Sequence, residues 1–239
     1  MNLRAVTCTG ADDKTKLDDL AALSQEYPFV EWGLMLSATR TGIDPRYPSL
    51  AQLEKIGDLH VNTSIHLNDR WAIDVAENQG NPLEAALQVI RGSKRIQINL
   101  FADIDRYQNL FHQTRSEADR LKVQVIIQAY DFNIPAVEIA RDSQHSGSAV
   151  FLHDASGGRG IAGSFQKPVN SDFVGFAGGI RPENIKEKLE QIEDLGFDNP
   201  FWIDLESGIR TENVFDLEKV ERLLRTVKPF VRTDVSPTK

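Results

Sequence analysis

Eight short apolar stretches, each followed by a segment with helical spacing, constrain this chain more than any other feature of its sequence. They run Leu3 to Cys8, Phe29 to Leu36, Leu59 to Leu67, Arg95 to Leu100, Val123 to Ala129, Ala149 to His153, Phe173 to Ala177 and Phe201 to Leu205. Runs this short and this rich in branched and aromatic residues read as strands, and their alternation with helical segments reads as βα units of a parallel sheet. The helical segments carry start signals with a physical cause: side-chain oxygens that accept from unpaired amides, and prolines that need no amide partner. Ser49 stands three before Gln52 as a capping box, and Asn81-Pro82 precedes Leu83, Ala86, Leu87 and Ile90. Pro182 opens a helix carrying Ile185, Leu189 and Ile192 that Gly196 closes, and Asp216 introduces Leu217, Val220, Leu223, Leu224 and Val227 before Pro229 stops the run. Eight such units in a row favour closure into a (β/α)8 barrel, an α/β fold, over an open doubly wound sheet. At 239 residues the chain has the length of one such barrel, so residues 1–239 are expected to form a single domain.

Composition narrows the partners. With 41% hydrophobic and 26% charged residues the chain matches an ordinary folded protein rather than a disordered one. The formal charge of −8, with no local basic patch, argues against nucleic acid as a partner. The apolar segment near Met1 ends at Cys8, too short for a signal peptide or a membrane span, so a cytoplasmic protein without a membrane partner is expected. One cysteine makes no internal disulfide and no thiolate metal cluster, which leaves packing or chemistry as its role.

In barrels of this kind the loops after the strands' carboxyl ends build the active site. The residues there are polar: Cys8 after the first strand, Arg40 and Arg46 after the second, His66 and Asn68 after the third, Asn99 after the fourth. Gln128 and Asp131 follow the fifth, His153 and Asp154 the sixth, Gly178 and Gly179 the seventh, and Asp204, Glu206, Ser207 and Gly208 the eighth. Glycines let backbone amides approach a phosphate closely, and phosphate sites in such barrels lie on the last two loops. Gly178-Gly179 and Ser207-Gly208 therefore point to a phosphorylated small molecule.

Three motifs in order resemble the phosphoribosylanthranilate isomerase family, within the ribulose-phosphate-binding barrels. Phe151-Leu152-His153-Asp154-Ala155-Ser156-Gly157-Gly158-Arg159-Gly160 resembles its segment with an aspartate before a glycine loop. Ala177-Gly178-Gly179-Ile180-Arg181-Pro182-Glu183-Asn184-Ile185 and Ile203-Asp204-Leu205-Glu206-Ser207-Gly208-Ile209 resemble its two phosphate-loop segments. Earlier in the chain, Val6-Thr7-Cys8-Thr9-Gly10 resembles the family's Lys-Ile-Cys-Gly opening without the lysine, and Asp44-Pro45-Arg46-Tyr47 resembles its Ser-Pro-Arg-Tyr loop. The middle departs, with Gln97-Ile98-Asn99-Leu100 in place of Gln-Leu-His-Gly and Ser64-Ile65-His66 in place of an apolar strand end.

The resemblance implies an Amadori rearrangement in tryptophan synthesis. Asp154 would be the general acid on the ribose ring oxygen and Cys8 the base that takes the C2 proton. Arg46 or Arg40 would hold the substrate carboxylate. Gly178, Gly179, Asp204, Ser207 and Gly208 would line the phosphosugar site. No metal or organic cofactor is implied, and the protein would be a monomer or homodimer.

Plainer readings stand beside these. A strand-end cysteine is a small buried hydrophobe in most proteins, Asp154 can cap a glycine turn, and Arg46 can be a surface side chain. Strand neighbours point to opposite faces, so only one of His153 and Asp154 can aim into the barrel mouth, and the motif selects Asp154. His66, His153, Asp154 and Glu206 would suit a divalent cation if they converged, which would make the protein a metal-dependent aldolase or hydrolase. A phosphosugar-binding barrel without catalysis is the remaining class.

Overall fold

In a computed structural model the eight apolar stretches become the parallel strands of one closed barrel, paired in sequential order from β1 to β8 and back to β1. The strands are β1 (Leu3–Thr9), β2 (Val30–Ser37), β3 (Thr63–Asn68), β4 (Arg95–Ile98), β5 (Gln124–Ala129), β6 (Ala149–Asp154), β7 (Val174–Ala177) and β8 (Phe201–Leu205). The structure describes residues 1–130, 133–144, 149–157, 163–168, 172–196 and 198–232.

The helices are α1 (Leu17–Glu26), α2 (Leu50–Gly57), α3 (Arg70–Ala76), α4 (Pro82–Val89), α5 (Ile104–Leu121), α6 (Ile134–Gln144), α7 (Ile185–Asp194) and α8 (Leu217–Val227). Strict alternation fails at two places. Both α3 and α4 lie between β3 and β4, and among the described residues no helix joins β6 to β7.

The capping signals act as expected at two ends. The Ser49 side chain accepts from the Gln52 amide at 3.3 Å, and Asp216 accepts from the amides of Glu218 and Lys219 at 3.1 Å each. Pro182 does not open α7. The helix starts at Ile185, because Asn184 turns back on the preceding loop, accepting from the Arg181 amide at 2.8 Å and donating to the Gly179 carbonyl at 2.9 Å. Strand β3 starts at Thr63 rather than Leu59, since His60 adopts a left-handed φ of 55° that ends the preceding turn.

The two faces of each strand bury different things. Val6, Cys8, Trp32, Leu34, Leu36, Ile65 and Leu67 pack outward in the main apolar core, with α8 contributing Val220, Leu223, Leu224 and Val227. The inward face is divided. Ile126, Leu152, Ala177 and Trp202 form a separate apolar cluster on the β5 to β8 side. On the β1 to β4 side the interior is polar: Thr7 donates to Glu31 at 2.8 Å, Arg95 pairs with Glu31 at 2.9 Å, and the Arg95 guanidinium lies 4.1 Å over the Trp202 ring.

Gly175 shows how closely that interior is filled. A β-carbon there would stand 2.4 Å from the Trp202 ring and 2.6 Å from Leu152 Cδ1. Gly175→Ala is expected to destabilise the barrel by about 1–3 kcal/mol, since overpacking forces buried side chains off their rotamers. Urea denaturation of the two proteins measures it, and an unchanged midpoint would show that the rings shift freely.

Candidate active site

At the carboxyl ends of the strands a cavity of about 460 Å³ opens, lined by inward-facing residues of β1 to β8 and the loops that follow them. Asp154, the last residue of β6, is 7% exposed and faces it. Its Oδ2 accepts from Gln128 Nε2 at 2.9 Å, and its Oδ1 accepts from the Ser156 amide at 2.9 Å and hydroxyl at 2.6 Å. These donors lock the carboxyl in one orientation. His153 is turned the other way, its ring 6.4 Å from that of Phe176 and outside the cavity lining. His66, His153, Asp154 and Glu206 therefore do not converge on one point, and among the described residues no cluster of three His, Cys, Asp or Glu is arranged to hold a metal ion.

Cys8 requires a correction. The thiol is fully buried in the apolar core between strands and helices, and Thr9 is the β1 residue that lines the cavity. The cause is strand parity: a one-residue difference in register moves a side chain to the opposite face. Burial, with the Asp204 carboxylate as a second cause, pushes the thiol's pKa up, so Cys8 is not poised to act as a thiolate.

Asp204 on β8 enters the cavity beside Thr9, whose hydroxyl donates to Asp204 Oδ1 at 2.8 Å. Burial raises the Asp204 pKa to about 8; the Thr9 hydrogen bond opposes the shift, while Glu31, Glu206 and Asp154 add to it. His66 lies opposite, its Nε2 3.8 Å from Asp204 Oδ2. Burial and then the Arg95 charge lower the His66 pKa to about 3. Both groups are thus driven towards their neutral forms, and their contact is not an ion pair at neutral pH.

The remaining wall is a chain of amides. Gln97 Nε2 donates to Asn99 Oδ1 at 2.9 Å, Asn99 Nδ2 to Asn68 Oδ1 at 3.0 Å, and Asn68 Nδ2 to the His66 carbonyl at 2.9 Å. Above it, Phe101 and Tyr130 stack with ring centroids 4.8 Å apart. Sequence reasoning did not single out this aromatic pair or Asp69, although each follows a strand end by one to three residues, the position that flagged the others. Asp131 lies outside the described residues, as do Gly158, Arg159 and Gly160 of the glycine loop.

Both candidate arginines line the cavity mouth. Arg40 binds Asp69 through Nε at 3.3 Å and Nη2 at 3.0 Å, and stacks 4.1 Å over the Tyr47 ring. Arg46 reaches Glu206 through Nη1 at 3.0 Å and Asn213 through Nε at 3.2 Å. Gly178 and Gly179 line the cavity with φ of 112° and 65°, and a β-carbon on Gly178 would meet the Ser156 amide at 2.7 Å. Ser207 also lines it, opening a 3₁₀ turn over Ser207–Ile209. Gly208 does not: its missing side chain lets the loop pack against the Ile180 carbonyl, which a β-carbon would approach to 2.2 Å.

Residues 108–226 match the family model for N-(5'phosphoribosyl)anthranilate (PRA) isomerase. The N-(5'-phosphoribosyl)anthranilate isomerase of Listeria innocua is 30% identical over 122 residues, covering 47% of this chain and 55% of that protein. The chain thus matches about half the length of this curated relative. Among solved structures, phosphoribosyl anthranilate isomerase from Thermus thermophilus is 19% identical with a TM-score of 0.59, over 95% of this chain and 99% of the other. The Pyrococcus furiosus isomerase is 17% identical with a TM-score of 0.58, over 94% and 98% of the two chains. A third isomerase, in complex with reduced 1-(o-carboxyphenylamino)-1-deoxyribulose 5-phosphate, is 15% identical with a TM-score of 0.59, again over 94% and 98%. At these identities the structural likeness shows the barrel. The sequence match falls on the part of the chain that holds Asp154 and both glycine loops, and over that part the chain is similar to the PRA isomerase family.

Proposed function

We propose that this barrel catalyses the Amadori-type isomerisation of a phosphorylated aminoribose, of the phosphoribosylanthranilate type used in tryptophan synthesis. The observation that carries the reading is the pairing, across one cavity, of a carboxyl fixed by three hydrogen bonds with the Gly178-Gly179 loop fixed by Asn184. The phosphate sits against the amides of the Gly179 and Ser207 loops. Arg46 or Arg40 takes the substrate carboxylate; both stand at the cavity mouth, Arg40 held by Asp69 and Arg46 by Glu206 and Asn213.

Asp154 delivers a proton to the ribose ring oxygen as the nitrogen lone pair breaks the C1–O bond and forms C1=N⁺. Loss of the C2 proton then gives an enolamine, which gains a proton at C1 and loses its hydroxyl proton to become the aminoketone. Proton transfers alone complete this reaction, so it calls for no metal or organic cofactor. The protein is expected to work in the cytoplasm as a monomer or homodimer; no helix among the described residues is long and apolar enough to cross a membrane.

The buried Cys8 favours a second reading, a barrel that binds the phosphosugar without turning it over. A direct assay separates the two. Purified protein is given phosphoribosylanthranilate, and aldose and ketose forms are resolved by chromatography, with inorganic phosphate added as a competitor. Turnover inhibited competitively by phosphate is expected. Competition for binding with no ketose formed would leave the binding barrel.

A further inference from the structure

With the thiol turned into the outer core, the proton-abstracting step has no group at the position where the family resemblance places it. Thr9 stands there instead, and a threonine hydroxyl is not a base near neutral pH. What Thr9 does is hold a carboxyl: it donates to Asp204 Oδ1 at 2.8 Å. The other oxygen, Asp204 Oδ2, is buried without a hydrogen-bond partner, and so is His66 Nε2, 3.8 Å away. Both residues line the cavity. Strand β8 is hydrogen-bonded to β1, with Asp204 in register with Thr7, so this carboxyl occupies the β1 side of the cavity while Asp154 comes from β6.

We propose that Asp204 is the general base of this isomerase, accepting the substrate's C2 proton at Oδ2, with the neutral imidazole of His66 beside it as hydrogen-bond partner to the C2 oxygen. The inference rests on the isomerase reading given above. In the step, the C2–H bond breaks, its electron pair forms the C1–C2 double bond, and the C1=N⁺ pair returns to nitrogen. The proton then resides on Oδ2. The same carboxyl returns it to C1 as the C2 hydroxyl releases its proton to solvent and becomes the ketone.

The surroundings suit the task. The charged and titratable groups around Asp204 are Glu31 on β2, His66 on β3, Arg95 on β4, Asp154 on β6 and Glu206 after β8, and Arg95 is tied to Glu31. Burial and the three carboxylates make the Asp204 carboxylate a stronger proton acceptor than an exposed one, and a catalytic base works best with its midpoint near the operating pH. The neutral imidazole donates without placing a competing positive charge on the base.

The test compares wild type with Asp204→Asn, Thr9→Val and Cys8→Ala, using phosphoribosylanthranilate with and without deuterium at C2, across pH 6 to 10, with thermal melts confirming folding. Expected for Asp204→Asn is a fall in kcat of roughly 10²- to 10⁴-fold with KM little changed. Cys8→Ala should keep wild-type turnover. Wild-type kcat/KM should show a rising limb with its midpoint near 8, where the carboxyl ionises. Thr9→Val should move that limb upward, because the lost hydrogen bond had favoured the carboxylate. This shift also carries the test if Asp204→Asn does not fold. Turnover retained by a folded Asp204→Asn, kcat/KM with no rising limb, or no shift in Thr9→Val would overturn the base assignment while the isomerase reading stands. A wild type with no turnover overturns both.

Discussion

Asp154→Asn is expected to lower turnover of phosphoribosylanthranilate by roughly 10²- to 10⁴-fold, the range for loss of a positioned general acid. The substitution keeps shape and removes the transferable proton. The carboxamide oxygen can still accept from the Ser156 amide and hydroxyl, which hold the wild-type carboxyl at 2.9 and 2.6 Å. Its nitrogen meets Gln128 Nε2, now a donor facing a donor, and Gln128 relieves this by rotating its amide. Folding should therefore survive, and KM should stay within a few-fold because the contacts proposed for the phosphate and carboxylate lie elsewhere in the cavity. Steady-state kinetics with a thermal melt of each protein gives the answer. An unchanged kcat with a raised KM would show that Asp154 binds the sugar and donates nothing.

The largest stability effect is expected at Asp12, outside the cavity. Its Oδ2 accepts from Arg210 Nη2 at 3.1 Å and from the Phe215 amide at 2.8 Å, and its Oδ1 accepts from the Lys14 amide at 3.0 Å. Arg210 in turn donates to the Gly10 and Asn213 carbonyls at 2.6 Å each and to the Pro45 carbonyl at 3.3 Å. The side chains of Arg210 and Asp12 are 4% and 6% exposed, and together they tie the loops after β1, β2 and β8. Asp12→Ala leaves that guanidinium buried without its counter-charge, a loss of about 3–5 kcal/mol. At roughly 2–4 °C per kcal/mol for a chain of this size, the melting temperature should fall by about 6–20 °C. Restoring half or more of that loss by adding Arg210→Met would confirm that the unpaired charge, and not the lost cap, is the cause. A drop below about 1 kcal/mol in Asp12→Ala would mean that water reaches the guanidinium.

The barrel was legible because every strand keeps at least one apolar face against the helices, and eight short runs of branched and aromatic residues alternate with helical segments. The inward face of β1 to β4 is polar, and parity there was harder to use. Yet Val6-Thr7-Cys8-Thr9 alternates apolar and polar in the way the fold uses it, with the threonines inward, and the motif alone put the cysteine in the cavity where the fold puts Thr9. At β6 the motif and the fold agree in placing Asp154 at the cavity, because Asp154 ends the strand and Ser156 and Gln128 are in reach to hold it. Gly208 shows a different limit. A glycine needed for close approach to Ile180 looks, in sequence, like one needed for approach to a phosphate. The amide chain from Gln97 to His66 was visible only as departures from a pattern, since hydrogen bonds between strands depend on register, which the linear sequence does not state.

The divided interior of the barrel has a consequence for how such a protein changes over time. The apolar half, β5 to β8, coincides with most of the family match and contributes Asp154 and the glycine loops, the parts proposed above to hold the phosphate and deliver the proton. The polar half, β1 to β4, holds two hydrogen-bonded groups of its own, Glu31 with Arg95 and the amide wall. Substitutions there can remodel the surface met by the variable, organic end of a ligand while the handle and its acid stay anchored across the barrel. A lineage built this way can explore new substrates one half at a time, and a designer wishing to redirect the chemistry would mutate the first four strands and leave the last four alone.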